Sequence, residues 1–335
     1  MTAIETAVET VHLLELPHAQ ARALLATGAT VTLCVNPVEY HGPHLSLQND
    51  RLVSLGIARR LAARLATGGA PPVFVLAGDI EAGVEPASGP GSRHVPYRDV
   101  RRAVLESCRA LAELGARRVV LMTFHGAPMH SHALESGVEW LVSHGIPAFA
   151  PLVLALEAMI SGEVREFAPA LAGIEDPAER ATMLAGLADD FHAGFFETSV
   201  ALELTPESVS PIHLRLPPCP SLERPRALVT LSRLMAMAGH KQLAGELRVA
   251  AAGLAWAALR PFPGYTCRPH RASAAAGAVF VREMLDRIEA VARGVFFGGA
   301  APPPAPFRWM PALTLGGRMA RPPVPLEAIQ SFAIE

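Results

Sequence analysis

The chain has 335 residues, half of them apolar and 18% charged, with 29 Lys and Arg against 31 Asp and Glu. That is ample material for one large core or two small ones, and mean hydropathy is +0.28. A formal charge of −2 leaves no cationic footprint for nucleic acid, and no uninterrupted apolar run reaches the roughly 18 residues of a membrane-spanning helix.

In chain order, the start "MTAIETAVETVHLLELPHAQ" is acidic before it is apolar, the wrong order for a secretory leader. "TVTLCVN" (30–36) predicts a short strand and "DRLVSLGIARRLAARLA" (50–66) a helix; "PPVFVLAG" (71–78) is a second strand. An amphipathic helix over 97–116 leads into the strand "RRVVLMTF" (117–124), then a helix over 131–145 and an extended "PAFAPLVLA" (147–155). Alternating strands and helices with β-rich apolar runs predict a three-layer α/β/α sandwich around a mainly parallel sheet. Residues 156–190 read as helical with a break at "EDP" (175–177), 192–204 as loop running into helix or strand, and 205–225 as irregular. One or two apolar helices fit 227–259, and a long helix fits 272–296. The tail from Gly298, with "APPPAPFRWMP" and "RPPVPL", is extended. No clear linker divides the chain, so 1–297 reads as one domain with an insertion around 212–259, followed by a proline-rich extension over 298–335. The four cysteines, Cys34, Cys108, Cys219 and Cys267, are far apart with no CxxC spacing. Reduced, buried thiols in a cytoplasmic protein fit that pattern.

The stretch "VEYHGPHLSLQND" (38–50) packs Glu39, His41, His44 and Asp50 into one short loop after a strand. Ligands of open α/β sheets sit beyond the carboxyl ends of strands, and residues two apart on an extended segment point the same way. His125, at the end of the strand over 117–124, falls at the same sheet edge. Glu39, His41, Asp50 and His125 can therefore converge, and two imidazoles with two carboxylates suit Zn, Mn or Fe(II). Each residue alone has a plainer reading. Asp50 before a helix reads as an N-cap, His44 after Pro43 as a turn residue supporting the others, and His130 and His132 as first-turn or solvent-facing side chains.

"EYHGPHLSLQND" resembles the "E-x-H-G-P-H-L-P-L-x-x-D" segment of the creatininase (creatinine amidohydrolase) family. In the same order, "RRVVLMTFHGAP" resembles the strand and "N-G-H-G-G-N" turn, "FHAGFFETSVALEL" resembles "H-A-G-E-x-E-T-S", and "GYTCRPHRASAAAG" resembles "G-x-x-G-x-P-x-x-A-(T/S)-x-x-x-G". The likeness covers roughly 28–210 and 260–295. It implies a sandwich of helices around a parallel sheet, oligomers that are often hexamers, and two divalent metal ions that polarise an amide carbonyl and acidify a water. By resemblance Glu39 and His125 hold one metal, His41 the other, and Asp50 bridges. His192 resembles the histidine that protonates the departing nitrogen, a role suited to an imidazole.

The departures are as informative. Both asparagines of "N-G-H-G-G-N" are absent, and Ala127 stands where creatininase itself has a metal-ligating glutamate. Phe195 replaces the first glutamate of "H-A-G-E-x-E-T-S", while Glu197 remains as the candidate last carboxylate of the second metal, with capping of local backbone as its alternative. Phe124 and Phe195 suggest an unusually apolar pocket, and Trp140, Trp256 and Trp309 lie outside the motifs. The expectation is a metal-dependent amidohydrolase acting on a small-molecule or short peptide-like amide other than creatinine. A decayed, metal-binding family member serving as a binding or structural subunit is the alternative. A cysteine hydrolase using Cys34 or Cys267 is weak, because a thiol inside an apolar strand is usually inert.

Overall fold

A computed structural model describes residues 8–66, 72–319 and 322–332. Residue 71, where the second strand is predicted to begin, and the acidic residues 1–7 lie outside them. Among the described residues, five strands form one parallel sheet: β1 (Glu9–His12), β2 (Val31–Asn36), β3 (Val73–Glu81), β4 (Val119–Met122) and β5 (Ala148–Phe149). Their spatial order is β1-β3-β2-β4-β5. The helices are α1 (His18–Ala26), α2 (Asn49–Leu65), α3 (Tyr97–Leu114), α4 (Pro128–Ser143), α5 (Leu152–Ser161), α6 (Pro177–Gly186), α7 (Phe195–Leu204), α8 (Arg226–Met237), α9 (Lys241–Ala257) and α10 (Ala274–Phe297).

Every residue of β2 is buried, which is why it reads as an apolar run with no polar alternation. Val31, Leu33 and Val35 of β2, with Val119 and Leu121 of β4, join a core completed by α1, α3 and α4. Cys34, Val120 and Met122 face the opposite core, built on α2, α7 and α10. Helices thus cover both faces, the three-layer α/β/α arrangement expected. The chain passes from β2 to β3 on one side and then to β4 on the other. The carboxyl ends of β2 and β4 therefore flank a switch point, where ligands of such sheets bind.

Three local expectations fail. The segment 147–155 is not extended: β5 is two residues long and α5 begins at Leu152. Pro151 already has helical angles (φ −62°, ψ −28°), and a short apolar run cannot declare its period. The edge strand β1 and helix α1 were not anticipated, because β1 has only four residues. The tail contains a helical turn, Met310–Leu313. It also docks on two carboxylates, buried Glu246 and half-buried Glu135: Phe307 N and Trp309 Nε1 donate to Glu246 at 3.0 and 2.8 Å, and Ala305 N donates to Glu135 at 2.8 Å. No helix among the described residues is long and apolar enough to cross a membrane.

Helix α10 crosses α7 at close range. A Cβ on Gly277 would lie 1.9 Å from the Ser199 carbonyl oxygen, so only glycine lets the two backbones approach. Gly277→Ala is expected to force the helices apart at a cost of ~1–3 kcal/mol, typical of overpacking. Urea titration checks this; an unchanged midpoint would show that α10 yields freely.

Candidate metal centre

Pro37 ends β2, and the loop after it carries Glu39 and His41. At the base of that loop Asn36 ties three elements together. Its Oδ1 accepts from Ser54 Oγ of α2 (3.0 Å) and from Thr123 Oγ1 and Phe124 N beyond β4 (both 3.1 Å). The loop after β3 supplies the remaining backbone contacts through Val84 and Ala87. Glu85 between them has φ +57°, a left-handed conformation that costs a non-glycine residue energy and is often found at functional sites.

Glu39, His41, Asp50, His125 and Glu197 are all nearly inaccessible to solvent. Their ligand atoms form two groups that share Asp50, Glu39, Asp50 and His125 in one and His41, Asp50 and Glu197 in the other; Glu39 and His41 also form a group with His192. His125 Nδ1 is 2.8 Å from Glu39 Oε2 and 3.6 Å from Asp50 Oδ2. His41 Nε2 is 3.1 Å from Asp50 Oδ1 and 3.8 Å from Glu197 Oε2.

The backbone decides which ring nitrogens face these carboxylates. His125 Nε2 donates to the Val84 carbonyl at 2.8 Å, and His41 Nδ1 donates to the Glu39 carbonyl at 3.1 Å. A carbonyl accepts only, so a neutral imidazole presents a lone pair from its other nitrogen. Lone pair then meets carboxylate, acceptor against acceptor, unless a cation lies between. Glu39 Oε2 and Asp50 Oδ2 are in addition buried without a hydrogen-bond partner. Two ligand atoms each about 2.1 Å from a tetrahedral ion lie about 3.4 Å apart, within the spread seen in both groups. The donor set fits a pair of divalent cations.

Protons take the same charge when no metal does. Burial opposes the cationic form, yet Asp50, Glu39 and Glu197 push His41 up to about 10. Glu39 and Asp50 likewise push His125 up to about 9, against the effect of burial. Burial would raise Glu39, but the His125 and His41 charges hold it below the usual carboxylate range. Burial raises Glu197, and Asp50 and Glu39 add to the effect.

Asp50 is not a helix cap. Gln48 occupies that position, and Asp50, in the first turn of α2, sends both oxygens to the cluster. Glu197 sits in the first turn of α7; its Oε2 accepts from Ala193 N at 2.6 Å, so local backbone and the cluster share that oxygen.

His192 stacks on His41, ring centroids 4.4 Å apart. Its Nε2 donates to the Tyr40 carbonyl at 2.9 Å, and its Nδ1 lies 3.9 Å from Glu39 Oε1. Burial and the neighbouring His41 charge hold it well below the usual histidine range. The loop is pinned from behind. Thr266 Oγ1 accepts from His192 N (3.2 Å) and donates to Asp190 Oδ1 (3.0 Å), while Asp190 Oδ2 accepts from Phe196 N (2.8 Å). A Cβ on Gly194 would lie 1.7 Å from Asp190 Oδ1 and 2.8 Å from the Thr266 carbonyl, which explains the glycine of "HAG".

The other candidates fall outside the two groups. His44 Nε2 contacts Thr198 Oγ1 at 2.9 Å. His130 and His132 are in the first turns of α4 but buried, not solvent-facing. His130 Nε2 reaches the Val35 carbonyl at 3.1 Å, and His132 binds Glu135 and the Phe307 carbonyl. Phe195 does not line the site: it packs on Phe280 in the core. Trp256 of α9, set aside on sequence, has its ring 5.0 Å from that of His192; no local motif marks it, because its partner is 64 positions away. Burial pushes the Cys34 thiol up to about 12 and raises Cys267 as well, which disfavours the thiolate that a cysteine nucleophile needs.

Known proteins place the chain. The family model for creatininase, creatinine amidohydrolase, matches residues 14–292. The chain belongs to the creatininase family. Similar solved structures include "Creatininase Mn" (20% identity, TM-score 0.56, covering 86% of this chain and all of that one). A glutamate-to-glutamine creatininase variant complexed with creatine aligns equally well, with 20% identity, TM-score 0.56 and the same coverage. A putative creatinine amidohydrolase from Bacteroides fragilis shares 15% identity at TM-score 0.50, covering 80% of this chain and 90% of that one. At these identities the structures speak for the fold. No curated protein matches.

Proposed function

We propose that this creatininase-family chain is a dinuclear metal-dependent amidohydrolase that cleaves a C–N amide bond in a cyclic amide, formamide or peptide-like substrate. The observation that carries the reading is the pair of three-residue groups sharing Asp50, with ring lone pairs aimed at carboxylates by backbone carbonyls. Glu39, Asp50 and His125 would hold one ion, and His41, Asp50 and Glu197 the other; Zn, Mn and Fe all suit the set. When bound, the ions supply Lewis acidity to the amide carbonyl and acidify a water. His192 takes up a proton at Nδ1 and delivers it to the departing nitrogen, while the Tyr40 carbonyl fixes its tautomer. Burial of the whole set excludes competing solvent. That all six of these side chains are retained and converge supports an enzyme over a decayed scaffold.

Creatinine is not the substrate in this reading. Ala127 offers no carboxylate where creatininase has one. Phe195 no longer contributes to that argument, and Trp256 supplies an aromatic ring beside His192 after all. We read 212–259, which contributes Trp256, as an insertion forming a wall of the site, and 298–335 as an extension that braces it. A cytoplasmic homo-oligomer completes the proposal.

Protein reloaded with Mn or Zn and assayed for amine release over a panel of cyclic amides, formamides and dipeptide amides tests the activity. Metal-dependent turnover of some members with negligible turnover of creatinine is expected; creatinine hydrolysis at ordinary enzymatic rates would contradict the substrate assignment. The second metal's ligand has its own test. Glu197→Gln replaces a carboxylate with a neutral amide, a much poorer ligand for a hard cation. About one tightly held equivalent should survive dialysis, by elemental analysis. Two retained equivalents would make Glu197 a backbone-capping residue only.

A further inference from the structure

His130 lies outside the ligand groups, yet a chain of hydrogen bonds leads from it to His125. It stands in the first turn of α4, fully buried, with its ring edge-on to that of His125 and the centroids 5.1 Å apart. Its Nε2 faces the Val35 carbonyl at 3.1 Å. A carbonyl accepts only, so Nε2 carries the proton and Nδ1 offers a lone pair. That lone pair accepts from Val84 N at 3.4 Å. The Val84 carbonyl in turn accepts from His125 Nε2 at 2.8 Å. Donation thus runs from His125 to Val84, from Val84 to His130, and from His130 to Val35.

Thr123 ties the same ring to the backbone of the candidate ligand. Its hydroxyl donates to Asn36 Oδ1 at 3.1 Å, and its oxygen accepts from His130 Nε2 at 3.1 Å and from His125 N at 3.2 Å. Val84 depends on His130. Among the described residues its N–H has no other hydrogen-bond partner, and the next residue, Glu85, holds φ +57°. Such a conformation persists only where its surroundings over-determine it. Without the His130 lone pair a buried N–H would go unpaired, a cost that the loop relieves by shifting. The carbonyl that aims His125 would shift with it.

We infer that His130 is a positioning residue for the Glu39, Asp50 and His125 metal site: it holds Val84, and the Val84 carbonyl holds the tautomer and direction of His125. The inference rests on the dinuclear metal reading above. Two amide substitutions separate it from plain packing. The side-chain oxygen of asparagine falls where imidazole Nδ1 lies and can accept from Val84 N. The amide of glutamine falls where Nε2 lies, so it can donate to Val35 but leaves Val84 unpaired. Stepwise Zn²⁺ affinity of the full-length protein is measured by competition with a chromophoric chelator, and melting curves of the metal-free forms show that each variant is folded. His130→Gln should weaken one of the two ions about tenfold, the low end of what losing the support of a metal ligand costs. In Mn-loaded crystals of that variant, the anomalous peak beside His125 should fall and the one beside Glu197 should hold. His130→Asn should stay within about threefold of wild type. His130→Leu, which ends both bonds of the ring, replaces the glutamine variant if that does not fold, with the same loss expected. Equal weakening in the asparagine and glutamine variants, weakening of the two ions alike, or a glutamine variant with wild-type affinity would overturn the inference and leave the metal reading standing. Wild-type protein that takes up no metal would remove the metal reading, and the inference with it.

Discussion

Asp50→Asn is expected to yield a folded protein that keeps fewer than about one equivalent of metal after dialysis and hydrolyses no amide. The two oxygens of Asp50 point in different directions: Oδ1 is 3.1 Å from His41 Nε2, and Oδ2 is 3.6 Å from His125 Nδ1. Asparagine keeps one oxygen and replaces the other with an NH₂ donor, which cannot bind a cation. It also removes the negative charge that offsets two divalent ions. One group then falls to two ligands and the other keeps only a neutral amide oxygen in place of the carboxylate, so both sites are weakened together. The fold should not suffer in proportion, because Asp50 does not stand at the N-cap position of α2, which Gln48 occupies. Circular dichroism and a melting curve near wild type, beside elemental analysis, separate the two effects. Two equivalents retained in the variant would mean that the carboxylate bridges nothing.

His192→Ala should behave differently: both metals kept, and turnover down by roughly 10²–10⁴-fold, the usual contribution of a positioned acid or base. Its Nε2 is committed to the Tyr40 carbonyl, so only Nδ1 is free to carry a proton. That nitrogen lies 3.9 Å from Glu39 Oε1, close enough for Glu39, His41 and His192 to form a third group of ligand geometry. The variant therefore discriminates sharply. Loss of metal along with activity would make His192 a ligand; loss of turnover alone keeps it as the proton carrier.

Which features could be read in advance follows from range along the chain. α2, α3 and α10 are periodic over enough residues to declare themselves, β2 and β4 stand out as short apolar runs bounded by turn signals, and the loop 38–50 marked its candidate ligands because a strand end and a helix start bracket four chemically matched side chains. Glu197 could be placed only by likeness, since its partners lie about 150 positions away. Asn36 looked like an ordinary strand terminus, and nothing local shows that its amide oxygen gathers three donors. Trp256 and the Thr266–Asp190 support of His192 are contacts of tertiary structure alone. Phe195 misled for the related reason that its position in a site motif does not fix which way its ring turns, and the ring turns to the Phe280 core. The 147–155 segment failed because seven apolar residues and two prolines suit a strand and a helix start equally well.

On the proposed reading, one carboxylate, Asp50, joins two metal sites, each completed by one glutamate and one histidine. Anomalous diffraction from Mn-loaded crystals tests it most directly. Two peaks are predicted about 3.5–4 Å apart, the spacing of two-metal hydrolytic sites, one bound by Glu39, Asp50 and His125 and the other by His41, Asp50 and Glu197. A single peak held by Glu39, His41 and His192, with Asp50 unbound, would contradict the account.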